Sequence, residues 1–105
     1  MTGKIAHLDN SNFDKEITNK EIAIIDFWAA WCGPCQMFSK IFEEFSTENP
    51  NVYCGKVNVD EAQDLASKFG VMSIPTILFF KNSKLVKTQV GMLSKTMLKQ
   101  VIDSL

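Results

Sequence analysis

The sequence predicts a single α/β domain over residues 1–105, built around a mixed sheet, and three observations lead to this prediction. Continuous apolar runs at 22–29 and 76–80 are typical of strands that are buried on both faces. Stretches with helical apolar periodicity separate the strand candidates along the chain. A turn signal at 81–84 joins two β-rich runs and predicts a hairpin, so the sheet should hold antiparallel as well as parallel strands.

Composition fits one domain with a sizeable core and excludes several classes of function. The chain has 105 residues, 46% of them hydrophobic, and a formal net charge of -1 from 11 basic and 12 acidic residues. This balance gives no support for a nucleic-acid or membrane partner. The N-terminus lacks an apolar signal region, and three cysteines are too few for a disulfide-stapled secreted domain. We therefore expect a cytoplasmic monomer.

The first half of the chain should contain two strands and two helices. Ser11 and Asp14 have capping-box spacing at the start of the first helix. The second helix should end at Asn49-Pro50, because proline cannot continue a helix. Its apolar stripe comprises Met37, Phe38, Ile41, Phe42 and Phe45. The predicted elements are a strand at 5–8, a helix at 10–17, the buried strand at 22–29 and the long helix that follows the cysteines.

The second half should contain three strands and two helices. A half-buried strand at 52–59 precedes a helix that Asp60 and Gln63 suit as a start and Gly70 as an end. The strand at 76–80 turns through residues 81–84 into a strand at 85–90. The last helix should place one set of apolar residues on one side: Leu93, Met97, Leu98, Val101, Ile102 and Leu105.

The most informative motif is Trp31-Cys32-Gly33-Pro34-Cys35, which follows the first buried run directly. If a helix begins there, Cys32 lies at its N-terminus and Cys35 lies one turn further in. Unpaired N–H groups and the helix dipole would then stabilise a thiolate at Cys32, which is the nucleophilic form of cysteine. Cys35 is close enough to form a disulfide with Cys32. The motif therefore predicts dithiol–disulfide exchange.

Asp26 is the candidate base for this exchange. Cys35 should lie on the inner side of the helix and be less acidic than Cys32, so its attack on Cys32 needs a proton acceptor. A carboxyl group inside a buried strand has its pKa raised by desolvation, which brings it into the working pH range of a general base.

The chain resembles the thioredoxin family, and the resemblance runs nearly from end to end. It depends on the following residues: Asp26-Phe27-Trp28-Ala29, the five-residue cysteine motif, Lys56, Asp60, Ile74-Pro75-Thr76 and Gly91. The resemblance implies the thioredoxin fold, which is a central five-stranded mixed β-sheet flanked by four α-helices. It also implies a protein-disulfide reductase, because the Gly-Pro pair accompanies reductants in that family.

The resemblance implies further site residues. Lys56 should lie near Asp26 and modulate it, and the bond before Pro75 should be cis and pack against the two cysteines. A flat apolar docking face for clients should comprise Trp31, Gly33, Pro34, Ile74 and Gly91. Bare backbone around Ile74 and Pro75 would bind an extended client segment.

The resemblance also implies partners. These are a thioredoxin reductase, which uses flavin and NADPH, and oxidised clients such as ribonucleotide reductase or peroxiredoxins. The chain itself should need no cofactor beyond its redox-active disulfide. Four positions depart from the common family pattern and leave the reduction potential and partner preference open: Gln36, Lys40, Ser73 and Ser83.

Other functions are weighed against this interpretation. Cys54 is a small core residue or, if exposed, a secondary oxidation site. A zinc site would need His7 and Cys54 beside the cysteine pair, and the sequence offers no second close ligand pair. A binding module could use the same apolar face without redox turnover. An oxidase or isomerase of an oxidising compartment is disfavoured by the N-terminal sequence and by the Gly-Pro pair.

Overall fold

Five strands and four helices make up residues 5–105, the part of the chain that this computed structural model describes. In chain order they are β1 (Ala6–Leu8), α1 (Phe13–Ile17), β2 (Ile22–Trp28), α2 (Gly33–Glu48), β3 (Tyr53–Asn58), α3 (Gln63–Lys68), β4 (Thr76–Lys81), β5 (Lys84–Val90) and α4 (Lys95–Asp103). This confirms the predicted α/β class with its five-stranded sheet and four helices.

The strands form one mixed sheet in the order β1-β3-β2-β4-β5. The three strands β1, β3 and β2 run parallel, whereas β4 lies antiparallel to both β2 and β5. The central strand β2 therefore has hydrogen-bonded neighbours on both edges. This position explains its continuous apolar sequence, because helices cover both faces of the sheet and leave the strand buried.

Two apolar clusters cover the two faces of the sheet. One packs α1 and α3 on the sheet and includes Phe13, Ile25, Phe27, Leu65 and Phe80. The other packs α2 and α4 on the opposite face and includes Ile24, Phe38, Phe42, Phe79 and Leu98. Successive β2 residues alternate between the clusters, as the pleat of a strand requires.

The capping box predicted at Ser11 and the helix start predicted at Asp60 are both wrong. Helix α1 begins at Phe13, and the Ser11 hydroxyl donates a hydrogen bond to Asp9 instead of capping the helix. Helix α3 begins at Gln63, and its N-cap residue Ala62 supplies no side-chain cap; the N–H of Leu65 in the first turn donates instead to the Asn10 side chain at 3.2 Å. Asp60 lies beyond the end of β3 rather than at the start of a helix or in the strand. In both cases a nearby polar group competes successfully for the side chain.

Two methionines of the predicted apolar stripes are exposed, so the prediction is wrong at these positions. Met37 on α2 is 63% exposed and Met97 on α4 is 49% exposed, because each lies at the edge of its helix's buried face.

The predicted hairpin is confirmed: Asn82 and Ser83 both have positive φ, at 50° and 68°, as a two-residue hairpin turn of this hand requires. None of the helices within residues 5–105 has the length and apolar character needed to cross a bilayer.

Candidate active site

The two motif cysteines lie where β2 leaves the sheet and α2 begins. Cys32 is the N-cap residue of α2, with extended backbone angles of φ -96° and ψ 112°. Pro34 lies in the first turn, where its fixed φ suits a helix and its missing N–H leaves no helical bond unmade. Cys32 and Cys35 form a disulfide with their Cα atoms 5.3 Å apart.

The start of α2 is a favourable environment for negative charge on Cys32. The backbone N–H of Cys35 donates a hydrogen bond to Cys32 Sγ at 3.2 Å, as an N-cap oxygen would accept one. The first turn of the helix carries no acidic side chain. When the disulfide is reduced, this N–H group and the helix dipole act on the same sulfur and favour its thiolate.

The cysteine pair is largely enclosed. Cys32 is 6% exposed and Cys35 is 2% exposed, and together with Ala29 they form a small cluster. Trp28, Val59 and Ile74 pack against this cluster. The carbonyl oxygen of Ile74 lies 3.9 Å from Cys32 Sγ, which is a van der Waals contact because a disulfide sulfur has no proton to donate.

Asp26 lies on β2 with its side chain fully buried. Among residues 5–105, neither of its carboxyl oxygens has a hydrogen-bond partner. Burial raises the pKa of Asp26 from its ordinary value of 3.8 to about 7, and the Lys56 ammonium partly opposes this rise. Desolvation is the larger effect because an isolated carboxylate loses its hydration inside the protein.

Lys56 lies opposite Asp26 in the parallel pairing of β2 and β3. Its ammonium nitrogen Nζ lies 4.6 Å from the centroid of the Trp28 ring, a cation–π contact. It also donates a hydrogen bond to the Ser39 hydroxyl on α2 at 3.0 Å. Lys56 therefore neighbours Asp26 in the sheet and contacts the helix that carries the cysteines.

The residues expected to form the docking face differ in exposure. Trp31 is 71% exposed, Gly33 and Pro34 are also exposed, and Pro75 is buried. The Ile74–Pro75 peptide bond is cis. The N–H of Gly91, a residue with φ of +98°, donates to the Pro75 carbonyl at 2.8 Å.

Three residues have a contact or an exposure at or near the site that the sequence analysis does not predict. Asp60 accepts a hydrogen bond from Trp31 Nε1 at 2.9 Å and so orients the exposed indole. Met72 is 94% exposed, two residues before Ile74. Ser39 contacts Lys56. No local signal marks the Trp31–Asp60 and Ser39–Lys56 contacts, because each joins segments that are distant in sequence.

The remaining candidate positions have local explanations. Cys54 is buried, its pKa is raised to about 12 by burial, and it lies outside the cysteine cluster. The Gln36 side chain donates to the Ala30 carbonyl at 3.1 Å. Ser73 accepts a hydrogen bond from the Thr76 hydroxyl through its carbonyl, and Lys40 is exposed on α2. Over the described range 5–105, no three His, Cys, Asp or Glu side chains are grouped so that they could hold a metal ion.

Comparison with known proteins agrees with this geometry. Residues 4–104 match the thioredoxin family model. A thioredoxin of Buchnera aphidicola subsp. Acyrthosiphon pisum is 42% identical over 102 residues, which is 95% of this chain and 94% of the relative. A thioredoxin of Haemophilus influenzae is also 42% identical over 102 residues, at 95% of each chain.

Solved structures are similar as well. A mutant thioredoxin from Halobacterium salinarum superposes with a TM-score of 0.89 at 32% identity, covering 96% of this chain and 89% of the other. A chain from a study of the thiol resolving mechanism in yeast mitochondrial 1-Cys peroxiredoxin via glutathione/thioredoxin systems gives a TM-score of 0.88 at 31% identity, with coverage of 97% and 96%.

A helix-capping cysteine in disulfide linkage with the cysteine one turn later, on a five-stranded mixed sheet, defines a thiol–disulfide oxidoreductase. Within that class, the chain belongs to the thioredoxin family, as the family match over residues 4–104 and the relatives at 42% identity show.

Proposed function

We propose that this single-domain protein reduces disulfides in client proteins, with Cys32 as the nucleophile and Cys35 as the resolving cysteine. The observation that carries the proposal is the position of Cys32 as N-cap of α2, where it accepts the Cys35 N–H at 3.2 Å and is bonded to Cys35. Both sulfurs needed for a complete exchange are thereby within one helical turn.

The reaction proceeds in two balanced steps. The Cys32 thiolate attacks one sulfur of a client disulfide, a mixed disulfide forms, and the other client sulfur leaves as a thiolate. The Cys35 thiolate then attacks Cys32 Sγ, which breaks the mixed disulfide and releases the second client thiolate. The client gains two electrons, and the Cys32–Cys35 dithiol becomes the disulfide. The second step is intramolecular and therefore benefits from a high effective concentration.

Asp26 accepts the proton of Cys35 in the second step. Burial raises the pKa of Asp26 to about 7. At this pKa the carboxylate is basic enough to accept the proton of Cys35, and part of it is ionised at neutral pH. Lys56 tunes this group through its charge. These roles rest on burial and pairing, since Asp26 and Lys56 face each other across β2 and β3.

The docking face comprises Trp31, Gly33, Pro34, Ile74 and Gly91, with Pro75 shaping the backbone between β4 and the cysteines. Exposed Trp31 supplies a large apolar contact whose orientation is fixed by its hydrogen bond to Asp60. The Ile74 carbonyl lies 3.9 Å from Cys32 Sγ, which supports a role in binding the backbone of an extended client segment. A face of this composition suits many unrelated clients.

The protein acts as a cytoplasmic monomer in electron transport and cell redox homeostasis. A thioredoxin reductase returns electrons from NADPH through its own flavin, and the chain needs no cofactor besides its disulfide. Peroxiredoxins and ribonucleotide reductase are the proposed clients. The similarity to a chain from a study of a yeast peroxiredoxin and the glutathione/thioredoxin systems supports the first of these.

The test is NADPH-driven reduction of insulin disulfides with thioredoxin reductase as electron source. The matched control is the double variant Cys32→Ser/Cys35→Ser, which keeps the size of both side chains. Turnover that requires both cysteines supports the proposal. Turnover only after chemical pre-reduction would reassign the electron donor. No turnover even then would favour a binding module that uses the same apolar face.

A further inference from the structure

A row of side chains crosses three parallel strands on the face that α2 covers. In the register of the sheet, Asp26 on β2 pairs with Lys56 on β3, which pairs with His7 on β1. The neighbour of Asp26 on its other side is Ile77 of β4, which is apolar. Lys56 is therefore the cationic side chain that neighbours Asp26 directly in the register of the sheet, and its charge acts on the carboxyl group.

Lys56 acts on Asp26 through charge rather than through a hydrogen bond. Both Asp26 oxygens lack a hydrogen-bond partner among the residues that the structure describes, while the ammonium holds the carboxyl pKa below the value that burial alone would give. A Coulomb interaction depends on the separation of the charges. The effect of Lys56 consequently depends on whatever fixes the position of its ammonium group.

Within the described residues, the hydrogen bond to Ser39 is the directional contact that fixes that position. A lysine side chain has four rotatable carbon–carbon bonds and a strongly hydrated head, so it does not stay at a partly buried site unless it is held. The Trp28 ring, 4.6 Å away, offers a broad contact, whereas the Ser39 hydroxyl at 3.0 Å offers a directional acceptor. Ser39 lies on α2 four residues after Cys35, so the helix that presents the resolving cysteine also holds the lysine.

An alternative position is open to the ammonium if Ser39 is removed. A cavity of about 310 Å³ adjoins the site and is lined by Ile5, His7, Ser39, Glu43 and Lys56. Glu43 is exposed and acidic, and it lies one turn beyond Ser39 on the same helix. Without the Ser39 hydroxyl, water and Glu43 would draw the ammonium outwards and away from Asp26.

We propose that Ser39 is a positioning residue, which holds the Lys56 ammonium near Asp26 and thereby sets the pH range in which the resolving step is fast. The kinetic part of this statement rests on the proposed function of Asp26 as the proton acceptor. The electrostatic part concerns the carboxyl group itself and stands on the Ser39–Lys56–Asp26 arrangement alone.

The experiment titrates Asp26 in the oxidised protein by carbon-13 NMR of its carboxyl group, in wild type and in Ser39→Ala. An opposite charge nearby lowers a carboxyl pKa, so partial withdrawal of Lys56 should raise the midpoint of Asp26, by about half a pH unit. The rate of the resolving step should then fall about two-fold near pH 7 and stay unchanged near pH 9, where the carboxyl group is ionised in both proteins.

Three variants serve as controls. Ser46→Ala removes a hydroxyl from the same helix, where it donates to the Glu43 carbonyl at 2.8 Å, and should leave the midpoint unchanged. Ser39→Thr keeps a hydroxyl at the site and should restore the wild-type midpoint. In a Lys56→Met background, adding Ser39→Ala should produce no further shift, because the charge that Ser39 positions is already gone.

The outcomes separate the two claims. An Asp26 midpoint that is equal in wild type and Ser39→Ala, or that moves as much in Ser46→Ala, would overturn the positioning by Ser39. A shift that survives the removal of Lys56 would overturn it too. In a third outcome, Ser39→Ala shifts the Asp26 midpoint and leaves the rate of the resolving step unchanged. This result would support Ser39 as the positioning residue and would remove Asp26 from the proposed mechanism.

Discussion

The two faces of β2 differ in the kind of residue that they bury. Towards α1 and α3, the strand presents Ile25 and Phe27 to an entirely apolar cluster. Towards α2, it presents Ile24 and then Asp26, whose buried carboxyl group has no hydrogen-bond partner in residues 5–105. The first face stabilises the domain. The second face is less stabilising at Asp26, because burying a carboxyl group costs free energy. This titratable group lies beneath the helix that carries the cysteines.

The largest effect is expected on the α2 side from Cys32→Ser. Because serine cannot attack a disulfide under these conditions, insulin reduction should fall to the uncatalysed background. Cys35→Ser should keep the first attack and accumulate mixed disulfides, which non-reducing electrophoresis and mass spectrometry would detect. Substantial turnover by Cys32→Ser would contradict the assignment of the nucleophile. Both variants should unfold at nearly the temperature of the reduced wild type.

On the apolar side, Phe27→Ala should cost stability without changing the chemistry. Removing a fully buried phenylalanine ring leaves a cavity, so the free energy of unfolding should fall by about 3–5 kcal/mol. Guanidinium denaturation of the oxidised protein measures this loss. Well below the denaturation midpoint, the pH profile of the resolving step should match wild type. An altered pH profile would show that packing on the apolar face affects the titration of Asp26 on the other face.

The Asp26→Asn substitution should increase the free energy of unfolding, whereas Phe27→Ala should decrease it. The folded-state pKa of about 7 lies above the ordinary 3.8, so the native state binds this proton more tightly than the unfolded chain does. The stability contributed by the protonated carboxyl is fully present below about pH 4 and is lost as the pH rises through 7. Asparagine stays neutral, so the variant should gain up to ~4 kcal/mol over wild type at pH 8 and almost nothing at pH 4.

Denaturant unfolding of the two oxidised proteins at both pH values measures this difference. Leu65→Ala, on the apolar side, serves as a comparison, because its stability change should be the same at pH 4 and pH 8. A difference between wild type and Asp26→Asn that does not vary with pH would mean that the carboxyl group is not held in its neutral form by burial.

The smallest effect is expected from Gly55→Ala on the apolar side. A Cβ atom at this position would lie 2.8 Å from Leu8 Cδ1 and 3.1 Å from Ile25 Cδ1. Because these are the ends of flexible side chains, they can move, and the cost should be about 1 kcal/mol. Thermal unfolding measures it, and insulin reduction should be unchanged. A loss as large as that of Phe27→Ala would show that this face cannot repack.

The apolar side and the cysteine motif could be predicted from the sequence, because both follow from local patterns. The run at 22–29 predicted the buried strand, and the motif after it predicted a helix with Cys32 at its start. The capping box predicted at Ser11 and the helix start predicted at Asp60 are wrong, because those side chains have competing hydrogen-bond partners in the folded chain.

The polar side could be predicted only in part. Burial of Asp26 follows from its apolar neighbours, but the Ser39–Lys56 hydrogen bond depends on how α2 lies over β3. The Trp31–Asp60 bond likewise joins residues 29 positions apart. Apolar periodicity specifies which face of a helix is buried. It carries no information about which polar group of another segment a side chain on that helix will contact.

The most direct test of this account is the rate of the resolving step as a function of pH, measured by stopped-flow on a preformed mixed disulfide at Cys32. Wild type should accelerate as the pH rises through about 7, the pKa of Asp26, and Asp26→Asn should be slower and lack this rise. Identical pH profiles for the two proteins would contradict the account, since the buried carboxyl group would then have no part in activating Cys35.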